Sequence, residues 1–208
     1  MLEFTEYTKF LIALLAIVNP PGILPLYISL TANYPEAERL RIARLVIIAV
    51  VSILLIAAFF GELILQFFGI SINSFRVAGG IMLLLMAITM LFKSHESLEH
   101  DKKIVYESGE SIAVVPLAMP LLAGPGAIST VIINAYKGEG IEHYLLIALD
   151  ILILGLILWG VLKLVPWIAR HISPVGIHIS TRIMGLILAA IAVEFIANGL
   201  KGLFPVLA

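Results

Sequence analysis

The sequence has no cysteine, which excludes disulfides, zinc–thiolate centres and thiol catalysis. It is also poor in charge. Asp, Glu, Lys and Arg make up 13% of its residues, against about 25% in an ordinary soluble domain. The formal net charge of −1 offers no basic field for nucleic acid. The N-terminal run Met1-Leu2-Glu3-Phe4-Thr5-Glu6 carries acids where a secretory signal needs cations, so no cleaved signal is expected. No P-loop and no His-Glu-x-x-His run are present. The sequence is therefore expected to act without a cofactor, a metal or direct ATP drive, and not as an enzyme.

What the sequence has is apolar length. Hydrophobic residues are 61% of 208, and the mean hydropathy is +1.10, too apolar for a soluble surface of this size. Charge-poor stretches run from Phe10 to Pro35, from Arg44 to Phe68 (with Glu62 near the end), from Arg76 to Lys93, from Ser111 to Tyr136, from Tyr144 to Leu162 (containing Asp150) and from Ile183 to Leu200 (containing Glu194). Each supplies the roughly 20 residues a helix needs to cross about 30 Å of hydrocarbon. They are continuous, unlike the short alternating segments of a β-barrel. The expected fold is an all-α membrane protein of six transmembrane helices in one domain, 1–208, with a charged linker at 93–110. Pro35 to Arg41, with acids before cations, reads as a helix start.

Six spans put both termini on one side. The opposite side holds Arg39, Arg41, Arg44, Lys93, Lys102, Lys103, Lys163, Arg170 and Arg182, against Lys9, Arg76, Lys137 and Lys201 on the terminal side. Nine cations against four place both termini outside by the positive-inside rule.

The two halves resemble one another. Asn19-Pro20-Pro21-Gly22-Ile23 recurs as Ala123-Gly124-Pro125-Gly126-Ala127-Ile128, and Ser74-Phe75-Arg76-Val77-Ala78-Gly79 as Ser180-Thr181-Arg182-Ile183-Met184-Gly185. The offsets are 104 residues for the Pro-Gly pairs and 106 for the arginines. A unit with three spans must enter the membrane from opposite sides in its two copies, so these are expected to be inverted repeats, about 8–92 and 111–201, as in secondary transporters. Proline removes an N–H and clashes with the preceding turn, and glycine permits the non-helical angles of a break. The first and fourth spans are therefore expected to be broken at their Pro-Gly pairs, which is tolerated at depth only inside protein or along a cavity.

A break exposes helix ends. Half-helices starting after Gly22 and Gly126 are expected to aim N–H groups at the centre, suited to a carboxylate. Those ending near Asn19 and Ala123 present carbonyls, suited to an ammonium group or a cation. Asn19, Pro20, Pro21, Gly22, Ala123, Gly124, Pro125, Gly126, Ser129 and Thr130 are the candidate substrate-binding residues. Their small walls serve a ligand or close helix packing equally well. Asp150, about 9 Å along its helix from Tyr144, is either a proton site or an acid solvated near the outer headgroups. Glu194 (on a face with Asn198) and Glu62 (with Gln66) are further coupling or gating candidates. Arg76 and Arg182 open symmetry-related helices, where they snorkel to phosphates or neutralise an acid.

The four motifs just quoted, in that order over nearly the whole chain, resemble the MarC family of integral membrane proteins, to which neutral amino acid transporters of the SnatA type belong. The resemblance implies a six-helix prokaryotic inner-membrane protein that takes up small neutral amino acids such as glycine and alanine, with the two Pro-Gly breaks around the substrate. The expected function is secondary transport coupled to a proton or sodium gradient by alternating access. A channel or exporter for another small solute, or a non-transporting membrane scaffold, are the alternatives.

Overall fold

The computed structural model describes residues 4–31, 34–92, 122–138, 140–165, 167, 174–204 and 206. They form helices α1 (Phe4–Val18), α2 (Pro20–Thr31), α3 (Glu36–Phe67), α4 (Ile72–Phe92), α5 (Pro125–Ala135), α6 (Ile141–Lys163) and α7 (Pro174–Leu203), with no strand among the described residues. Five stretches are long and apolar enough to cross a membrane: Thr5–Leu24, Glu36–Phe67, Ile72–Phe92, Ile141–Lys163 and Ile179–Leu203. The first runs through the junction of α1 and α2. Pro125–Ala135 is a shorter apolar helix. The sequence places it in the second half of a span starting at Ser111, and that span's first half, with the linker 93–110, lies outside the described residues.

Two helices outrun their apolar stretches. Helix α3 starts at Glu36, right after Pro35, with Glu36 and Glu38 in its first turn beside the positive end of the helix dipole. At 32 residues it is about 48 Å long, so its charged first turns project beyond the hydrocarbon. Helix α7 starts at Pro174 rather than near Ile183, which puts Arg182 within a helix, exposed. Charge marks where a helix meets the headgroups, not where it begins. Helices α3 and α4 are joined by a tight turn in which Gly69, at φ 65°, lets the Ile70 N–H reach Leu65 O at 2.9 Å. That left-handed geometry is the usual reason for glycine past a helix end. The Ser71 hydroxyl then accepts the Ser74 N–H at 3.1 Å and caps α4.

The molecule is apolar inside and out. Leu14, Ile17, Leu54, Leu83, Ile151, Leu154 and Leu188 are buried, yet Ile56, Phe60, Phe67, Leu85, Phe92, Leu156 and Leu186 are exposed. A continuous apolar exterior on helices of this length is a lipid-facing surface. Helix α5 is central: from Gly126 to Ala135 only Ile128 and Asn134 are not fully buried. Helix α4 packs chiefly on α7, and α3 on α6 and α5. Glycines allow the approach. A Cβ at Gly80 would lie 2.9 Å from Ala192 O, and one at Gly199 would lie 2.9 Å from Asn73 O. Such small-residue contacts are how helices associate where water supplies no drive.

Candidate substrate site at the helix breaks

The first break is a single residue. Asn19 separates α1 from α2 at φ 48°, a left-handed conformation that asparagine tolerates better than most residues. Its N–H still closes the last turn of α1 on Leu15 O, and its carbonyl accepts the Gly22 N–H, both at 3.0 Å. The residues four ahead of Ala16 and Ile17 are Pro20 and Pro21, which have no N–H. The one four ahead of Val18 is Gly22, whose N–H goes to Asn19. Three carbonyls at the end of α1 are thus left without helical donors. Asn19 is 3% exposed. Among the described residues its side-chain amide makes only a long contact to Met90 Sδ, at 3.9 Å, and its buried Oδ1 has no partner. This corrects one expectation from the sequence. Helix α2 begins at Pro20, and its first N–H is already bonded, so this break offers oxygen atoms rather than N–H groups.

The start of α5 supplies the opposite polarity. Leu122, Ala123 and Gly124 are buried, and Gly124 is extended at φ −67°, ψ 174° with no side chain to cap α5. Pro125 takes the first helical position, and Ile128 donates to Gly124 O at 3.0 Å. The N–H groups of Gly126 and Ala127 precede the first helical bond and face the break. Ser129 Oγ and Thr130 Oγ1 both turn back to Gly126 O, at 3.1 and 2.8 Å, so these buried hydroxyls give their protons to their own helix.

The breaks meet. A Cβ at Gly126 would lie 3.5 Å from Ile17 Cγ2 and would collide with Leu83. The oxygen-rich end of α1 therefore lies beside the N–H-bearing start of α5, with Leu83 and Met90 of α4 alongside. Gly22 is likewise filled from within, since a Cβ there would strike the Asn19 amide. Both glycines hold protein contacts, so the structure is closed over this point. An open groove of about 540 Å³ lies elsewhere, along Ala37, Glu38, Arg41, Arg44, Leu45 and Ile48 of α3.

The remaining candidates are scattered. Glu62 is half-buried and accepts from Gln66 Nε2 at 3.0 Å. Glu194 is exposed and accepts from Asn198 Nδ2 at 2.7 Å. Arg76 is half-buried and Arg182 exposed. Asp150 differs from these: it is 8% exposed, and its Oδ2 is buried without a partner. Seven residues earlier on α6 stands His143, 2% exposed. Its Nε2 lies 3.0 Å from Asn134 O and 3.2 Å from Ala135 O, and its Nδ1 lies 2.8 Å from the Tyr7 hydroxyl. Carbonyls only accept, so Nε2 carries the hydrogen and neutral Nδ1 accepts from Tyr7. Sequence reasoning passed over His143 and Tyr7. The signal available was a histidine and an aspartate two turns apart on an otherwise apolar helix. No cluster of three or more potential metal ligands occurs among the described residues.

The comparisons agree with this architecture. Residues 4–204 match the model of the MarC family integral membrane proteins. The chain is 42% identical over 205 residues to the UPF0056 membrane protein YhcE of Escherichia coli, covering 98% of this chain and 95% of that one. It is 43% identical over 192 residues to a UPF0056 membrane protein of Methanocaldococcus jannaschii, covering 91% and 93%. It is 38% identical over 209 residues to the UPF0056 membrane protein YvbG of Bacillus subtilis, covering 98% of each. No solved structure matches the chain.

Proposed function

The chain belongs to the MarC family of multi-pass integral membrane proteins, and from that premise we propose that it is a secondary transporter of small neutral amino acids, of the glycine and alanine class, in the cell membrane. The observation that carries this reading is the meeting of two unlike helix ends. The carbonyls of Ala16, Ile17 and Val18 and the Asn19 Oδ1 suit an ammonium group. The N–H groups of Gly126 and Ala127, at the positive end of α5, suit a carboxylate. An α-amino acid presents both groups a few ångströms apart and carries no net charge. With no ionised side chain at this point among the described residues, a small zwitterion is the solute that leaves no charge unmatched.

Alternating access needs two similar halves moving about such a site, and the packing supports that symmetry. The strong helix pairs join one half to the other: α4 with α7 and α3 with α6, each of which the 104-residue offset maps onto itself. The 104-residue offset that relates Gly22 to Gly126 also relates Arg39 to His143. Arg39 Nε donates to Tyr34 O at 2.9 Å, and His143 Nε2 donates to Asn134 O. Each tethers the start of a long helix to the turn that ends the preceding short one. The reading includes six spans as inverted repeats, both termini outside, and coupling to a proton or sodium gradient.

The test is counterflow in proteoliposomes: labelled glycine outside, with excess unlabelled glycine or alanine inside. Transient accumulation of label with either amino acid is expected. Its absence, with protein inserted and folded, overturns the reading.

A further inference from the structure

We propose that His143 and Tyr7 form the outer end of a proton path whose inner station is Asp150, so that the ion coupled to transport is a proton. The inference rests on the transport reading and adds residues and an ion to it.

His143 does more than tether. Its symmetry mate Arg39 holds the neighbouring turn with a permanent charge, and there the tyrosine of α2, Tyr27, donates to the Arg39 backbone carbonyl at 2.7 Å. At the other end the tyrosine of α1 reaches the side chain instead: Tyr7 bonds the second ring nitrogen of His143. A tether needs only Nε2. The Nδ1 position adds a proton-accepting nitrogen in hydrogen-bond contact with a buried hydroxyl. Tyr7 is 5% exposed, buried like His143 and Asp150. Asp150 follows His143 by two helical turns, about 10.5 Å of rise, on the same buried side. An intramembrane carboxyl lacking a partner on one oxygen is costly as an anion, which suits a group that holds a proton during part of a cycle.

Among the described residues, the titratable and charged groups around His143 are Tyr7 from α1, Lys137 after α5, and Glu142, Tyr144 and Asp150 on α6. Glu6, Lys9 and Arg76 act on Lys137. From α3 the uncharged ring of Phe59 stacks on Tyr144, with centroids 5.7 Å apart. The buried base in hydrogen-bond contact with the Tyr7 hydroxyl is thus His143.

The transfer balances without another reactant. A proton from the outer solution binds Nδ1 of neutral His143, whose Nε2–H stays on the two carbonyls. The hydrogen bond reverses: Nδ1–H donates to the Tyr7 oxygen, and the Tyr7 hydrogen turns away. The Tyr7 O–H bond breaks as its proton passes through intervening water to the Asp150 carboxylate. The Nδ1 proton moves to the Tyr7 oxygen in its place. His143 and Tyr7 end neutral, and Asp150 ends protonated.

The experiment uses proteoliposomes containing the full chain, labelled glycine, a dye for lumenal pH, and separately imposed pH and sodium gradients. Wild type is expected to accumulate glycine under an inside-alkaline pH gradient, with glycine-dependent acidification of the lumen, and not under sodium alone. The readout is driven accumulation divided by counterflow in the same vesicles. That ratio should fall tenfold or more in Asp150→Asn and His143→Gln and at least threefold in Tyr7→Phe. Gln keeps an N–H for the carbonyls of Asn134 and Ala135. Tyr7→Phe leaves His143 and both its carbonyl bonds in place, and decides the matter if His143→Gln does not insert. A wild-type ratio and wild-type acidification in Tyr7→Phe and Asp150→Asn, or accumulation driven by sodium alone, overturns the proton path while transport stands. Absence of glycine and alanine counterflow in wild type overturns transport itself, and the path with it.

Discussion

The side chain of Asn19 lies directly over the backbone of Gly22, so closely that no Cβ fits between them. The pair explains why the break has both residues. Asn19 holds φ 48°, and Gly22 leaves room for its amide while donating its N–H to Asn19 O at 3.0 Å. Two substitutions separate backbone from ligand. Asn19→Gly keeps the left-handed turn and removes Oδ1. Folding should be preserved while glycine affinity falls about tenfold, the loss of one charge-assisted hydrogen bond of roughly 1.5 kcal/mol. Asn19→Val places a β-branched residue at positive φ and should lower stability by about 1–3 kcal/mol. Equilibrium binding and thermal unfolding in detergent check these. Unchanged affinity in Asn19→Gly would remove Oδ1 from the site.

Glycines in this chain are not equivalent, and the difference is measurable. A Cβ at Gly80 would sit 2.7 Å from Ile196 Cγ1 and 2.9 Å from the Ala192 carbonyl, and backbone cannot move aside without parting α4 from α7. Gly80→Ala should destabilise by about 1–3 kcal/mol, as overpacking does. Gly160, in α6, has nothing within 4 Å of its Cβ position. Gly160→Ala should be neutral or stabilising by up to about 1 kcal/mol through helix propensity. Thermal melts of the two variants side by side check the contrast. Equal effects would mean that α4 and α7 are not packed as described.

Much of this was legible in the sequence because membranes make hydropathy speak plainly. The apolar runs located α1, α3, α4, α6 and α7, and the proline–glycine clusters pointed to Asn19 and Gly124. The ends of α3 and α7 were less legible, because Arg39, Arg41, Arg44 and Arg182 continue their helices past the apolar stretch. The polarity of the first break was misread. Pro20 and Pro21 are the first two residues of α2 and carry no N–H, so the helix start that sequence reasoning offered to a carboxylate has none to give there. His143 and Tyr7 were invisible because their meaning lies in a contact across 136 positions, which no local pattern encodes.

Orientation gives a third prediction, made simple by the absence of cysteine, since any introduced thiol is the sole one. Thr5 and Glu36 are both exposed, at the starts of α1 and α3. With nine cations against four on the two sides, Thr5→Cys should react with a membrane-impermeant maleimide on intact cells, and Glu36→Cys only after permeabilisation. The reverse pattern would invert the topology and place His143 on the inner side.

The last prediction concerns the carboxylate. The start of α5 has Pro125 first, no side-chain cap on Gly124, and two N–H groups, of Gly126 and Ala127, ahead of its first helical bond. An anion there gains from the aligned helix dipole, at most about 2 kcal/mol in a partly buried geometry, in addition to hydrogen bonds of about 1.5–3 kcal/mol when the acceptor is charged. Glycinamide keeps the ammonium and the size of glycine but replaces the carboxylate with a neutral amide. It should therefore compete for labelled glycine at least thirtyfold more weakly, which is about 2 kcal/mol at 1.4 kcal/mol per factor of ten. Acetate keeps the carboxylate without the ammonium and should fail as well, because the carbonyls of Ala16, Ile17 and Val18 would have no cation to meet. The two probes load opposite ends of the site, so their failures are independent. If glycinamide competed as well as glycine, the start of α5 would not hold the carboxylate. The small residues at the start of α5 would then be explained by the packing of Gly126 on Leu83 alone.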